Sequence, residues 1–246
     1  MEVPESVEIA WGLRERPGKG PKRTLTLEHI VEAALRVGSA EGLPAVSMSK
    51  IAAELDVSTM ALYRYVASKG DLLMLITDAV LGPPPPLPEP GDDWRDGVYR
   101  WADAMRAALQ SHPWSLRIPI TGPGLMPNHV AWMEAGLRCL RGTGLAPDTK
   151  MAALLLVNGF VRTEVALLAD LRDAFDASKV TEEEMLSGYG RSLARLIDAQ
   201  RFPEIHELLE ARAFDMPGSG PDDEFAFGME RILDGLAVLV TGKPPA

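Results

Sequence analysis

The segment Thr59 to Val66, TMALYRYV, crowds Met60, Tyr63, Arg64 and Tyr65 into about two helical turns. So short a helix is not stable alone, and it has no room to bury all of these side chains. At about 100° per residue, turning Leu62 inward brings Val66 back beside it and sends Met60 and Arg64 to the opposite face. Tyr63 falls on a flank. The chemistry open to that face is recognition of bases and phosphates. Arginine can donate a bidentate pair to guanine, threonine can bond either base type, and methionine can touch a thymine methyl. Tyr63, Tyr65 and Lys69 suit phosphate contacts, which position a helix without reading sequence. Ser58 and Thr59 stand at the N-terminal end, the end that enters a major groove in helix-turn-helix proteins. The alternative is an ordinary helical corner with exposed side chains.

Such residues need neighbours to hold them. Leu27, Ile30, Val31, Ala34 and Leu35 repeat at helical spacing until Gly42 and Pro44. Ser47 can cap a second helix that turns Ile51, Ala52 and Leu55 inward, and Ser58 can cap the third. Val57 and Leu62 occupy the two positions of a hydrophobic staple. A fourth helix starts at Ser68, with Asp71 completing a shortened capping box, and runs to about Leu81. Three short helices with a tight break between the second and third have the layout of a helix-turn-helix. The stretch GPPPPLPEPG, residues 82–91, stops all helix and reads as a stiff spacer, or alternatively as a proline-rich peptide ligand.

The remainder, 92–246, is again helical. Trp94, Val98, Trp101, Ala102, Met105 and Leu109 form one stripe, and Val130, Met133, Leu137 and Leu140 another. Pro147 to about Leu171 is apolar almost all round, so every side of it should be covered. Its Asn158, Arg162, Glu164 and Asp170 argue for burial in protein and against a membrane span. A last helix covers Asp223 to Val240. The fold class is all-α, a helical-bundle body behind a small helical front. Residues 1–23, with RERPGKGPKR, read as a basic arm with little fixed structure.

Net charge is −10, yet its placement matters more than its sum. Residues 14–70 carry nine basic against six acidic residues, while residues 71–246 carry sixteen against twenty-six. Phosphates would be repelled by the body, which leaves the front to face nucleic acid. The single cysteine, Cys139, excludes an internal disulfide and fits a reducing cytoplasm. The N-terminus lacks the pattern of a signal peptide. No HExxH, GxSxG or P-loop is present, and the four histidines are scattered. A helical enzyme or an adaptor without DNA binding is the rival reading. Strong salt dependence of binding to a palindromic duplex separates it from a DNA-binding one.

The stretch SMSKIAAELDVSTMALYRYVASKGDLL, Ser47 to Leu73, resembles the DNA-binding signature of the tetracycline-repressor (TetR) family. The resemblance rests on Ile51-Ala52, Asp56-Val57-Ser58, Leu62-Tyr63, Tyr65-Val66, Lys69 and Leu72. It extends back over LEHIVEAALRVGSAEG and covers Thr26 to about Leu81. Asp56 departs from the family's usual glycine, but aspartate tolerates the left-handed conformation better than most residues. The resemblance implies a DNA-binding domain over 24–81, with Tyr63 and Lys69 on phosphates. It places Ser49, Lys50, Thr59, Met60 and Arg64 against bases or backbone. It also implies a homodimeric repressor of a palindromic operator, released by a small-molecule effector. The dimer would form through the 147–171 and 223–240 helices.

Effector contacts would fall among Trp101, Met105, Trp114, Met126, His129, Trp132, Met133, Asn158 and Arg162, where aromatic and methionine side chains meet a few polar groups. A core use of the same stripes is the competing reading, and Asn158 and Arg162 could equally serve the dimer contact. The tetracycline repressor holds a magnesium-bound drug through a histidine ahead of the long helix. The comparable segment here, RIPITGPGLMP, has none, so no metal and no cofactor are expected.

Overall fold

The computed structural model describes residues 3–13, 25–87, 93–122, 124–179, 181–214 and 220–242. Among them there are helices and turns and no strand. The helices are α1 (Glu5–Ala10), α2 (Leu27–Glu41), α3 (Met48–Glu54), α4 (Thr59–Leu62), α5 (Lys69–Leu81), α6 (Trp94–Gln110), α7 (Pro127–Cys139), α8 (Pro147–Ser178), α9 (Glu182–Leu196), α10 (Pro203–Glu210) and α11 (Pro221–Thr241). Two 3₁₀ turns, Leu43–Ala45 and Pro113–Arg117, complete the set.

Two compact units result. One comprises residues 1–165 with 233–246, and the other residues 166–232. In the first, α2 to α5 form a small head. Hydroxyls start each of its helices: Thr26, Ser47, Ser58 and Ser68 accept from the backbone N–H of His29, Lys50, Ala61 and Asp71. Each such cap contributes about 1 kcal/mol. Ile30, Val37, Val46, Ile51, Leu62, Val66, Leu72 and Ile76 are fully or almost fully buried and make the head's core. Behind it, α6, α7 and the first part of α8 pack closely because glycines remove the intervening side chains. A Cβ on Gly136 would lie 2.8 Å from Leu154 and 2.9 Å from Trp101, and one on Gly97 would lie 3.2 Å from Cys139. In the second unit Thr181 and Glu184 form a full capping box at α9. The Thr181 backbone N–H bonded to Glu184 holds that carboxyl below its usual range. Tyr189 meets Phe214 edge to face at 5.5 Å.

Three expectations are corrected. Residues 1–23 are not uniformly an arm: α1 occupies 5–10, with Ser6 and Val7 buried, while the basic run 14–23 lies outside the described residues. A six-residue helix has no stability of its own, so its existence depends on what it docks against. The third helix of the head ends at Leu62, not Val66, and tight turns continue it, with Tyr65 and Val66 both donating to the Leu62 carbonyl. Asp71 does not complete the capping box through the Ser68 backbone. Its Oδ2 accepts from the Ser68 hydroxyl instead, as fits a carboxylate one carbon shorter than glutamate.

Candidate nucleic-acid interface

The turn between α3 and α4 is made by Asp56, whose φ of 53° is left-handed. That conformation costs less for aspartate than for most residues, and four residues, 55–58, separate the two helices. Ser58 then caps α4, and Leu62 and Val66, both fully buried, dock it onto the head. Docking by two side chains leaves the opposite face outward. Met60 is 73% exposed, and Tyr63, Arg64, Lys69, Ser49, Lys50 and Ser58 are exposed around it, with Thr59 and Tyr65 half-buried. The structure thus gathers all nine of these residues onto α3, α4 with its cap and the turns that follow it, and the start of α5.

Their charges are not equally available. Glu41 accepts from Lys50 Nζ at 2.7 Å, and this bond holds the ammonium pKa above its usual value. Arg36 is likewise engaged by Glu54 at 3.3 Å. Arg64 and Lys69 make no ion pair among the described residues, and they are the cations of α2 to α5 left for a polyanion.

The head meets the body helices at several places. Asp78, buried on α5, accepts from the backbone N–H of His129 at 3.0 Å and lies 3.0 Å from its Nδ1, while Asn128 donates to the Asp78 carbonyl. Trp114, in the second 3₁₀ turn, lies flat against Gly38 of α2 and donates to Ser39 Oγ at 3.2 Å. The N-terminal segment makes a further contact, through Ser6 and Trp11. Sequence reading missed Asp78. The available signal was an acidic residue inside the apolar register of Leu72, Leu75, Ile76 and Val80.

Gly38 gives a direct test of the Trp114 contact. A Cβ there would lie 2.1 Å from Cζ2 of the indole. Glycine to alanine inside a helix ordinarily stabilises by about 0.5–1 kcal/mol. Here the ring must move, and overpacking costs about 1–3 kcal/mol. Gly38→Ala is therefore expected to lower the melting temperature and to shift tryptophan emission, whereas Gly38 replaced without either change would show that the indole does not rest there.

The nine residues considered for effector contact separate in the structure. Trp101, Met105, Met126 and Trp132 are buried; Trp101 and Trp132 meet edge to face at 6.4 Å, and their indoles donate to the carbonyls of Trp132 and Gly82. Trp114 and His129 are committed to the head, and Met133 is exposed. Asn158 and Arg162 share a half-buried flank of α8 and make no hydrogen bond or ion pair among the described residues. Burial pushes the Arg162 pKa down without neutralising a guanidinium at neutral pH. The Cys139 thiol, half-buried against Gly97, is pushed up by burial and is a poor nucleophile.

A left-handed turn, a short helix docked by two apolar residues and an outward cationic face define a helix-turn-helix DNA-binding protein. Two family models match the chain: "Bacterial regulatory proteins, tetR family" over 30–75, and "Tetracyclin repressor-like, C-terminal domain" over 87–240. The chain belongs to the TetR family of transcriptional regulators. It is 36% identical over 244 residues to the HTH-type transcriptional repressor DrrR1 of Streptomyces coeruleorubidus, covering 98% of this chain and 88% of that one. It is 28% identical over 207 residues to the class E tetracycline repressor protein of Escherichia coli, covering 76% and 97%. Among solved structures, the TetR family protein ActR of Streptomyces coelicolor in complex with actinorhodin is 30% identical, with a TM-score of 0.72, covering 89% and 99%. A second ActR structure, in complex with (S)-DNPA, has a TM-score of 0.69 at 30% identity.

Proposed function

We propose that this protein is a cytoplasmic homodimeric repressor that binds a palindromic operator and is released by a small-molecule effector. The observation that carries the DNA-binding part is the outward Met60, Tyr63 and Arg64 on α4 and the turns that continue it, held from behind by Leu62 and Val66. Ser49, Lys50, Ser58, Thr59 and Tyr65 frame that face, and Lys69 adds a phosphate contact. The functional division runs with it: a DNA-binding domain over 24–81, a spacer at 82–91, and an effector and dimer domain over 92–246.

The dimer reading is supported by apolar surface. α8 is long and apolar enough to cross a membrane, yet only 28% of its most apolar window is buried within the chain. Leu155, Leu156 and Leu167 on α8, and Phe227 and Leu239 on α11, are exposed. A second copy that covers these faces hides them from water. The effector reading rests on the small molecules in the two ActR structures. It also draws on Asn158 and Arg162, two polar side chains without partners among the described residues.

Two substitutions test the interface. Arg64→Ala is expected to cost about 1–3 kcal/mol of operator binding and to relax base preference at one position of each half-site. Lys69→Ala should weaken all sequences alike and flatten the salt dependence by about one unit. Selection of bound sites from genomic fragments, repeated with each variant, separates the two roles. An operator bound equally well without Arg64 would overturn its assignment as a reader of bases.

A further inference from the structure

The N-terminal segment joins the head to the body. Ser6, buried on α1, donates to Asp71 Oδ1 at 2.8 Å. Asp71 also takes the Ser68 hydroxyl, and so sits at the start of α5 beside Lys69. Just past α1, the Trp11 indole donates to the Leu125 carbonyl at 2.7 Å, in the loop that leads into α7. Val7 is buried between these two contacts in sequence. The segment thus links the N-terminal end of α5 to the body loop, while Asp78 links the C-terminal part of α5 to the start of α7. Asp71 and Asp78 are seven residues apart, about 10 Å along the α5 axis.

We propose that α1 and Trp11 form a strap that sets the angle of the DNA-binding head against the body, with Ser6 and Trp11 as positioning residues for operator binding. The other hydrogen bonds from α5 and its cap to the body, at Asp78 and Gly82, lie at its C-terminal end, and the strap adds a restraint at its start. Without the strap, α5 keeps the Asp78 and Gly82 bonds and its packing on α6 and α7, and the head keeps the Trp114 contact at the far end of α2. The start of α5, which carries Lys69 and leads back to α4, is then tied to the body by neither Ser6 nor Trp11. Head orientations that do not fit the operator become populated, and the apparent affinity falls in proportion to the fraction that still fits. The phosphates contacted in the fitted state stay the same, so the salt slope does not change. This inference rests on the head being the DNA-binding element, and one arm of its test does not involve DNA.

The test uses the full chain, a deletion of residues 1–13 and Trp11→Ala. Spin labels are placed on Glu32→Cys in α2 and Asp103→Cys in α6, in a Cys139→Ala background. Labelled chain is diluted with excess unlabelled chain, so only the distance within one chain is read. A single narrow distance distribution in the parent, broadened in both variants, is expected. Affinity for the selected operator duplex should fall about threefold or more with an unchanged salt slope. A distribution as narrow as the parent's in Trp11→Ala, whose melting curve shows it folded, would overturn the strap. Broadening with unaltered operator affinity would overturn the positioning role. A parent that binds no DNA contradicts the DNA-binding reading and leaves the distance arm intact.

Discussion

Arg106→Ala destabilises the protein by about 3–5 kcal/mol, the cost of leaving a buried charge without its partner. Arg106 Nε and Nη2 both donate to Glu164 Oε1, at 3.0 and 2.8 Å, between α6 and α8. The side chains are only 7% and 13% exposed, so water cannot take over when one is removed. Glu164 Oε2 is already buried without a hydrogen bond, which deepens the loss. The double replacement Arg106→Met with Glu164→Leu removes both desolvation penalties. It is expected to recover most of the stability and could exceed the parent, because a buried ion pair is often no better than well-packed apolar side chains. Urea midpoints of the parent, both single variants and the double variant close this cycle. A double variant no more stable than Arg106→Ala would mean that the pair is not acting as a unit.

Leu62→Ala abolishes operator binding, by a route other than the one through which Arg64→Ala weakens it. Leu62 is completely buried and is one of two residues that dock α4. Truncating it costs about 2–5 kcal/mol through lost transfer energy and the cavity left behind. The α4 helix spans four residues, too few to stay helical once undocked. The expected result is a lower melting temperature, faster amide exchange over residues 58–66, and loss of binding to every sequence at once. Met60→Ala, altering a side chain that is 73% exposed, should leave melting and exchange unchanged and affect DNA binding alone. Leu62→Ala that melts like the parent would contradict the docking geometry.

The head was legible in the sequence because its determinants are local. Serine and threonine caps, the apolar positions of α2 and α3, and a turn residue able to go left-handed all act within a few residues of themselves. The outward face of α4 followed from helical angle once Leu62 was placed inward. What local rules cannot supply is the partner of a side chain distant in the chain. Ser6 with Asp71, Trp11 with Leu125, and Asp78 with His129 are separated by 65, 114 and 51 residues. For the same reason the sequence of α1 looks like part of a loose arm. Its six residues carry too short a pattern to register, and the docking that stabilises it lies elsewhere in the chain.

The aromatic and methionine stripes of the body mark the limit more sharply. A buried indole at helical spacing looks the same in sequence whether it fills a core, lines a cavity or couples two domains. Only packing separated Trp101 and Trp132, which meet each other, from Trp114, which lies on Gly38. The chain's own order therefore determined an all-α protein, the helix-turn-helix and the residues it turns outward, since these depend on backbone periodicity and short-range hydrogen bonds. Tertiary structure alone decided which charges remain available to DNA, how the head is fastened to the body, and where Arg106 meets Glu164. Those outcomes depend on which distant surfaces exclude water together, and no short stretch of sequence encodes that.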